Sequence, residues 1–208
     1  MLRSMKAPLL FDVDGTIFAS GELVMECYQQ TLDELGVPRL APDALRTVVG
    51  PPLDVSFSEI VGLPAADIPE AIRLYRARYL PRFLEPPLYE GVPELLRGLK
   101  TAGVPLATAT TKLESWATEQ LTHWGLEDCF VFIAGATPES GPSKSAVVAR
   151  AVDHLQRAGF ATDGTVLIGD RSHDVEGAAA NGLQVIGAVI GYCTPTQLVT
   201  PKLPPHPE

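Results

Sequence analysis

Two acidic residues near the start of the chain, Asp12 and Asp14, have the spacing and the setting of a chemical site. They follow the apolar run Pro8-Leu9-Leu10, which predicts a buried β-strand. Residues two apart on a strand share one face, and Gly15 allows a sharp turn that brings backbone groups close to a ligand. Two carboxylates this close repel each other unless a cation lies between them, so the pattern indicates a cation site at a strand tip. The alternative is a polar strand-to-loop transition without a ligand.

A second short strand is predicted over residues 104–108, and hydroxyl groups follow it. Thr110 and Thr111 stand at the start of the next predicted helix. The free amides of that helix, together with the Thr110 hydroxyl, can bind a phosphate oxygen. Either threonine could instead be a simple helix N-cap, so this stretch alone leaves both roles open.

Lys144 and a second pair of acids are the remaining chemical signals. Lys144 opens a predicted helix, where the helix dipole disfavours a cation, so a negative partner is expected; a solvated surface lysine is the alternative. The apolar run 166–168 leads to Asp170, and Asp174 lies near Asp170 if the turn between them is helical. Asp170 is therefore placed to bind a metal ion, and the alternative is a helix N-cap followed by a first-turn acid.

The rest of the chain predicts the elements that position these residues. Helical patterns without any strand fill the stretch between the first motif and residue 85, at 22–35, 43–49, 53–61 and 67–80. Beyond it, helices at 93–102, 113–124, 143–158 and 174–181 alternate with strands at 104–108, 130–134, 165–168 and 184–188. With the first strand, this rhythm predicts an α/β fold: a Rossmann-like, mainly parallel five-stranded sheet flanked by helices. Residues 19–85 are expected to be an inserted all-helical cap, and residues 1–18 and 86–208 the core domain.

Composition narrows the class of protein. The 208 residues include 46% hydrophobic and 20% charged residues, which are ordinary globular values, and no apolar run approaches the ~20 residues of a membrane span. The formal net charge of −9 disfavours a nucleic-acid polymer as a partner. The three cysteines, Cys27, Cys129 and Cys193, are widely spaced and are expected to be reduced thiols. The N-terminus leads directly into the first strand rather than resembling a removable signal peptide, so a cytoplasmic location is expected.

Four motifs have now been described: Asp12 with Asp14, the threonines at 110 and 111, Lys144, and Asp170 with Asp174. In this order and spacing they resemble the motifs of the haloacid dehalogenase superfamily, in particular its phosphatase branch with a helical C1-type cap. The resemblance extends over about residues 8–198. It implies that Asp12 is the nucleophile, Asp14 the general acid/base and Lys144 the charge-neutralising lysine. It also implies a Mg²⁺ site and a phosphate site. The expected metal-site residues are Asp12, Asp14, Asp170 and Asp174. The expected substrate-binding residues are Thr110, Thr111, Gly15, Thr16 and, in the cap, Arg46.

Cap arginines could bind a substrate carboxylate or a second phosphate, because the guanidinium fork matches such anions. Arg46, Arg73, Arg76 and Arg78 are the candidates. For at least two of the last three, the favoured alternative is a solvated helix surface.

The resemblance implies a Mg²⁺-dependent phosphatase that hydrolyses a small phosphomonoester through an aspartyl-phosphate. Residues 49–53 and 169–174 resemble a subgroup containing phosphoglycolate phosphatases and 5′-nucleotidase-type enzymes. A sugar-phosphate mutase of the β-phosphoglucomutase type and a non-catalytic binding protein on the same fold stay open, whereas a true dehalogenase is disfavoured by the presence of Asp14. The expected partner is a small phosphorylated metabolite, with no membrane partner, and the expected state is a monomer or a homodimer.

Overall fold

A four-stranded parallel sheet is the centre of the computed structural model, which describes residues 6–137 and 143–189. Its strands are β1 (Leu9–Phe11), β2 (Leu106–Thr108), β3 (Val166–Gly169) and β4 (Gln184–Gly187), in the order β2-β1-β3-β4. The last residue of β1, Phe11, is in register with Thr108 of β2 and Ile168 of β3. The segments that follow β1, β2 and β3 therefore meet at one edge of the sheet, as the placement of the acids requires. Cys193 and the core beyond residue 189 lie outside the described residues.

The predicted fifth strand at 130–134 is wrong for the described part of the chain. This segment forms an isolated parallel bridge between Phe132 and Ala107. Backbone hydrogen bonds do run beside β2, from Val131 N–H to the Leu106 carbonyl (2.7 Å) and from Thr108 N–H to the Phe132 carbonyl (3.1 Å). A third bond runs from Thr110 N–H to the Ala134 carbonyl (3.1 Å), so the segment lies along β2 but adds one bridge rather than a strand to the described sheet.

Helices cover both faces of the sheet, which confirms the α/β class. These helices are α5 (Val92–Thr101), α6 (Glu114–His123), α7 (Lys144–Arg157) and α8 (Ser172–Ala179). Side chains alternate between the faces of a strand. Leu10 of β1 accordingly packs in one buried cluster with Val148 of α7 and Ala178 of α8. Its neighbour Phe11 packs in another cluster with Leu96 of α5.

Between β1 and α5 the chain is helical, as its periodicity predicts. The helices are α1 (Gly21–Leu35), α2 (Pro42–Thr47), α3 (Leu53–Val55), which continues into the π-helical turn Ser56–Ile60, and α4 (Ile68–Tyr79). They share one hydrophobic cluster, in which Tyr28 of α1 contacts Phe57 and Tyr75 with ring centroids 4.9 and 4.8 Å apart. Among the described residues, no helix combines the length and apolar character needed to span a bilayer.

The two chain crossings between these helices and the sheet lie side by side. Phe18 and Leu88 form an antiparallel bridge. Ala19 N–H donates to the Pro87 carbonyl (2.9 Å), and Tyr89 N–H donates to the Ile17 carbonyl (3.1 Å). The helical insertion therefore leaves and rejoins the core at one place, directly beyond the tip of β1.

Candidate active site

Three buried carboxylates converge at the carboxyl edge of the sheet. Asp12 follows β1, Asp170 follows β3, and Asp174 lies in the first turn of α8. One carboxylate oxygen from each lies within 4.8 Å of the others, and Asp170 and Asp174 are fully buried. Three anions this close in a buried site need cations, because burial and mutual repulsion both oppose ionisation. The cluster is therefore a candidate metal-binding and catalytic centre.

Lys144 supplies one positive charge to this cluster. Its Nζ lies 2.7 Å from Asp12 Oδ1 and 2.7 Å from Asp174 Oδ1, and it donates to the Ala109 carbonyl at 2.6 Å. The negative partners expected for a lysine at a helix start are thus Asp12 and Asp174. The lysine stem packs against the α8 backbone at Gly177, where an added Cβ would lie 2.6 Å from Lys144 Cγ. A glycine at this position leaves room for Lys144 to reach the acids.

Asp170 has the environment expected of a cation ligand. Its two oxygens accept no hydrogen bond from any described residue, and Oδ2 lies 3.3 Å from Arg171 Nε. Burial, reinforced by the neighbouring Asp12 charge, raises the pKa of Asp170 to about 7. The Asp170 carboxylate faces Gly15, which has φ +86°, and an added Cβ there would lie 2.5 Å from Asp170 Oδ2. Carboxylate oxygens that accept no hydrogen bond are hard donors of the type that Mg²⁺ prefers, so these residues fit that ion.

Burial also raises the pKa of Asp12, to about 6, although the Lys144 ammonium opposes this rise. Burial works against the ammonium form of Lys144, but the charges of Asp12 and Asp174 outweigh it and raise the lysine pKa. Asp174 is committed on both sides, since its Oδ2 accepts the Arg171 N–H at 3.0 Å while Oδ1 pairs with Lys144. This geometry ties Asp174 to the lysine as well as to the predicted metal site.

Asp14 stands apart from the other predicted metal-site acids. Its carboxylate pairs with Lys112, whose Nζ lies 2.8 Å from Asp14 Oδ1. The same Nζ donates to Gln120 Oε1 at 2.6 Å, and Gln120 Nε2 donates to the Phe83 carbonyl at 3.0 Å. Burial opposes the ammonium form of Lys112, but the Asp14 charge and Tyr79 outweigh it and raise the lysine pKa. The carboxylate of Asp14 is thus held by a continuous hydrogen-bonded chain that reaches the segment joining α4 to the core.

The predicted phosphate-binding hydroxyls occupy three different settings. Thr110 lies beside the acids, and its Oγ1 accepts the Lys112 N–H at 3.2 Å, which leaves the hydroxyl proton free to donate elsewhere. Thr111 donates to the Gly50 carbonyl at 3.2 Å, so its hydroxyl links the core to the loop after α2. Thr16 is buried and does not line the cavity described next.

A cavity of about 480 Å³ opens from Asp12 and Asp14 toward the helical insertion. Arg46 does not line it, because this residue is exposed in the last turn of α2. Arg73 pairs with Glu70 on the exposed face of α4, and the half-buried Arg78 pairs with Glu34 of α1. Arg76 does line the cavity. The structure therefore brings a different arginine to the site from the one that the sequence favoured.

Gln120 is the residue that sequence reasoning missed. It is fully buried on α6, in the same helical stripe as Ala117 and Leu121. A polar side chain in the middle of an apolar stripe needs a hydrogen-bond partner, and that mismatch is the signal that could have identified it.

The protein has a Rossmann-like α/β fold with a helical insertion after β1. Its candidate active site consists of carboxylates and a lysine at the carboxyl edge of the parallel sheet. The family model described as "Haloacid dehalogenase-like hydrolase" matches residues 9–188, and the chain belongs to this family. This confirms the resemblance found in the sequence motifs.

Two curated proteins with similar sequences carry the names of different activities. The chain is 38% identical over 186 residues to "Tyrosine-protein kinase PtkA" of Mycobacterium tuberculosis. The matched region covers 88% of this chain and 62% of that protein. The chain therefore spans less than two thirds of the length of this mycobacterial relative. It is 31% identical over 191 residues to a 5′-nucleotidase of Pseudomonas aeruginosa, covering 91% of this chain and 86% of that protein.

Solved structures agree on the fold. A haloacid dehalogenase-like family protein from Streptococcus pneumoniae superposes with a TM-score of 0.83 at 30% identity, covering 93% of this chain and 89% of that one. The structure of Mycobacterium tuberculosis PtkA gives 0.78 at 37% identity, covering 94% and 89%.

Proposed function

We propose that this chain is a Mg²⁺-dependent phosphatase that hydrolyses a small phosphomonoester through an aspartyl-phosphate. The observation that carries the proposal is the Asp12 carboxylate held at 2.7 Å by Lys144, beside the Asp170 carboxylate, whose oxygens accept no hydrogen bond from any described residue. Relatives named 5′-nucleotidase, phosphoglycolate phosphatase and pyrophosphatase support the same reaction class. Residues 19–85 are proposed as the cap over this site, and residues 1–18 and 86–208 as the core.

In the proposed mechanism Asp12 attacks phosphorus, so that a new carboxylate–phosphorus bond forms as the bond to the ester oxygen breaks. The leaving oxygen takes a proton from Asp14, which must enter this step as the carboxylic acid, and departs as the alcohol. Asp14 then removes a proton from a water molecule, which attacks the phosphorus of the aspartyl-phosphate, releases inorganic phosphate and restores the Asp12 carboxylate. Lys144 neutralises charge throughout, and Thr110 donates a hydrogen bond to a phosphate oxygen.

The metal ion would be held by Asp12, Asp170 and the backbone carbonyl of Asp14, with Asp174 beside it. When bound, Mg²⁺ supplies positive charge that offsets the repulsion between a carboxylate nucleophile and a phosphate dianion. Thr111, Gly15 and Thr16 are proposed to shape the phosphate end of the site. Arg46 is retained as a substrate-binding candidate only for a substrate that reaches beyond the cavity.

A second candidate function is phosphoryl transfer to a tyrosine hydroxyl. The 38% identical mycobacterial relative, which is named a tyrosine-protein kinase, favours this candidate. The same Asp12 chemistry would then end on an acceptor other than water. A sugar-phosphate mutase is distinguished in the same way, because its phosphoryl group returns to the substrate.

The test is phosphate release from a panel of phosphoglycolate, nucleoside monophosphates, sugar phosphates and an aryl phosphate, with Mg²⁺ and with chelator. We expect Mg²⁺-dependent release by the natural protein and none by Asp12→Asn. Labelling of tyrosine from γ-labelled ATP without net phosphate release would instead favour the kinase. Interconversion of a sugar phosphate would favour the mutase, and silence in all three assays would overturn an enzymatic function.

Lys112→Met is expected to lower kcat for alkyl phosphates by about 10- to 100-fold, because Asp14 loses the ammonium that orients it for proton transfer. The loss should be much smaller for 4-nitrophenyl phosphate, whose leaving group departs without a proton. Lys100→Met is the matched control, since Lys100 pairs with Asp128 on the surface. Steady-state kinetics on both substrates check the prediction, and equal losses on the two would show that Lys112 serves only to maintain the fold.

Mg²⁺ is expected to raise the melting temperature by a few degrees at pH 7.5 and by less at pH 5.5. The folded-state pKa values of Asp12 (about 6) and Asp170 (about 7) lie above those of exposed aspartates. Without metal, the ionised acids therefore oppose folding, and the stability of the metal-free protein rises as pH falls through 7 and 6. In the same pH range, protons compete with Mg²⁺ for the carboxylates and weaken its binding. Thermal melts with MgCl₂ and with chelator at both pH values check this. An Mg²⁺ increment that does not change between the two pH values would contradict it.

A further inference from the structure

The wall of the active-site cavity beyond the acids is largely hydrocarbon. On the insertion side it is lined by Val49, Leu53 and Ile72, and on the core side by Leu113 and Trp116. Leu53, Ile72 and Trp116 are half-buried, so part of each side chain still faces open space. An apolar wall of this kind gains little from a small, strongly hydrated alcohol, whereas it gains free energy by removing apolar surface from water.

The charges on this wall nearly cancel. Among the described residues, Arg76 and Asp54 are the charged side chains that line the cavity away from the acid site, and their charges are opposite. Lys112 lies at the acid end, where its Nζ is committed to Asp14 and Gln120. A substrate with a second phosphate or a carboxylate would therefore meet one exposed guanidinium in a wall that also carries an acid, rather than a cluster of cations.

Trp116 gives the wall a rigid flat surface. Its ring centroid lies 6.3 Å from that of Tyr79 and 6.2 Å from that of Phe83. Tyr79 in turn stacks on Tyr75 at 5.6 Å with an interplanar angle of 14°. Because these rings fix one another, a ligand that packs on the wall loses little additional side-chain entropy on binding.

The cavity is also large for the smallest candidate substrates. Pockets of 300–1,000 Å³ bury most of the surface of a ligand of roughly drug size. A phosphate with two further carbons would leave much of the 480 Å³ unfilled, whereas a phosphate on an alcohol that carries a ring would reach the apolar wall.

We propose that the substrate is a phosphomonoester whose alcohol carries an apolar planar ring, and that the ring packs on the wall formed by Leu53, Ile72 and Trp116. This inference rests on the proposed phosphatase function and specifies its substrate class. Nothing in the acid site itself selects for a ring, so the preference arises in the insertion and at the start of α6.

Benzyl phosphate and ethyl phosphate give the cleanest comparison, because their leaving alcohols have similar acidity and both need a proton from Asp14. We expect kcat/KM for benzyl phosphate to exceed that for ethyl phosphate, and that for phosphoglycolate, by about 30-fold, as expected for burying several additional apolar carbons. An equal or higher kcat/KM for ethyl phosphate or phosphoglycolate would overturn the inference.

Ile72→Ser should reduce the benzyl-to-ethyl ratio by about fivefold, because a polar side chain then faces the ring. Leu80→Ser is the matched control, since Leu80 is exposed directly after α4 and does not line the cavity. A ratio unchanged in Ile72→Ser would contradict the assignment of this wall.

Binding of non-hydrolysable phosphonates to Asp12→Asn, measured by calorimetry with Mg²⁺, separates this inference from the proposed function. Tighter binding of benzylphosphonate than of ethylphosphonate supports the ring site even if no substrate is turned over, in which case the phosphatase proposal fails alone. Turnover of the panel without that binding preference would leave the phosphatase standing and overturn the ring site.

Discussion

Asp12→Asn should lower kcat by a factor on the order of 10⁴ or more while the protein stays folded. An amide cannot form the bond to phosphorus, so the first chemical step is lost rather than slowed. The shape of the side chain is unchanged, and the Lys144 ammonium keeps its second anion, Asp174, at 2.7 Å. Because burial makes the ionised form of Asp12 costly, as its raised pKa indicates, the neutral variant should be at least as stable as the natural protein near pH 8.

Kinetics on the best panel substrate, a thermal melt and intact-mass spectrometry of acid-quenched turnover mixtures check this result together. The natural protein should show a phosphorylated form that Asp12→Asn lacks. Asp33→Asn is the matched control, since Asp33 pairs with Arg39 on the surface. Retained turnover in Asp12→Asn would exclude Asp12 as the nucleophile.

Lys144→Met should have the second-largest effect and, unlike Asp12→Asn, should impair both activity and stability. Removing the ammonium leaves the buried Asp12 and Asp174 without the cation that pairs with both, while Asp170 keeps Arg171 Nε at 3.3 Å. Breaking a buried ion pair by deleting one partner typically costs about 3–5 kcal/mol, so a fall in unfolding free energy of that order is expected without Mg²⁺. We expect kcat/KM to fall by about 10³-fold or more, because the charge on the phosphate is no longer offset.

The stability loss has a distinctive dependence on conditions. It should shrink as pH falls below about 6, since protonation of the acids removes the uncompensated charge. The double variant Lys144→Met/Asp174→Asn should recover part of the stability, and the cycle of single and double variants measures the coupling of the pair. Denaturant titrations at pH 5.5 and 8 test both points. A loss that is the same at both pH values, with no coupling, would mean that Lys144 contributes only packing.

The location of the acids could be predicted from sequence because parallel topology imposes it. An apolar run followed by an aspartate places a carboxylate at a strand tip, and adjacent parallel strands present their tips at one edge. Asp12 and Asp170 come together for that reason, with β1 between β2 and β3. The helical insertion was equally accessible, since helical periodicity without strand alternation fills the stretch between β1 and α5.

The features of the site that could not be predicted depend on which of several similar side chains the packing of the helices places in the cavity. Arg46 and Arg76 look alike in sequence, yet only Arg76 lines the cavity, because that choice depends on how α2 and α4 pack on α1. The pairing of Asp14 with Lys112 joins residues 98 positions apart, and no local pattern encodes it. The fifth strand failed because residues 130–134 lie along β2 with only an isolated bridge, and pairing of an edge segment depends on tertiary context as well as on local propensity.

The paired crossings at Phe18 and Leu88 make the insertion a closed excursion from the sheet. Backbone hydrogen bonds join the two ends of the insertion to each other. These bonds offset the entropy cost of closing the loop, so the strands of the sheet do not have to. Such a cost grows only as the logarithm of length, at about 0.6 kcal/mol for each doubling. Insertions of very different size and sequence are therefore tolerated at this point with nearly the same core stability. The part of the cavity wall that lies on the insertion can therefore change during evolution without altering the strands that hold the acids.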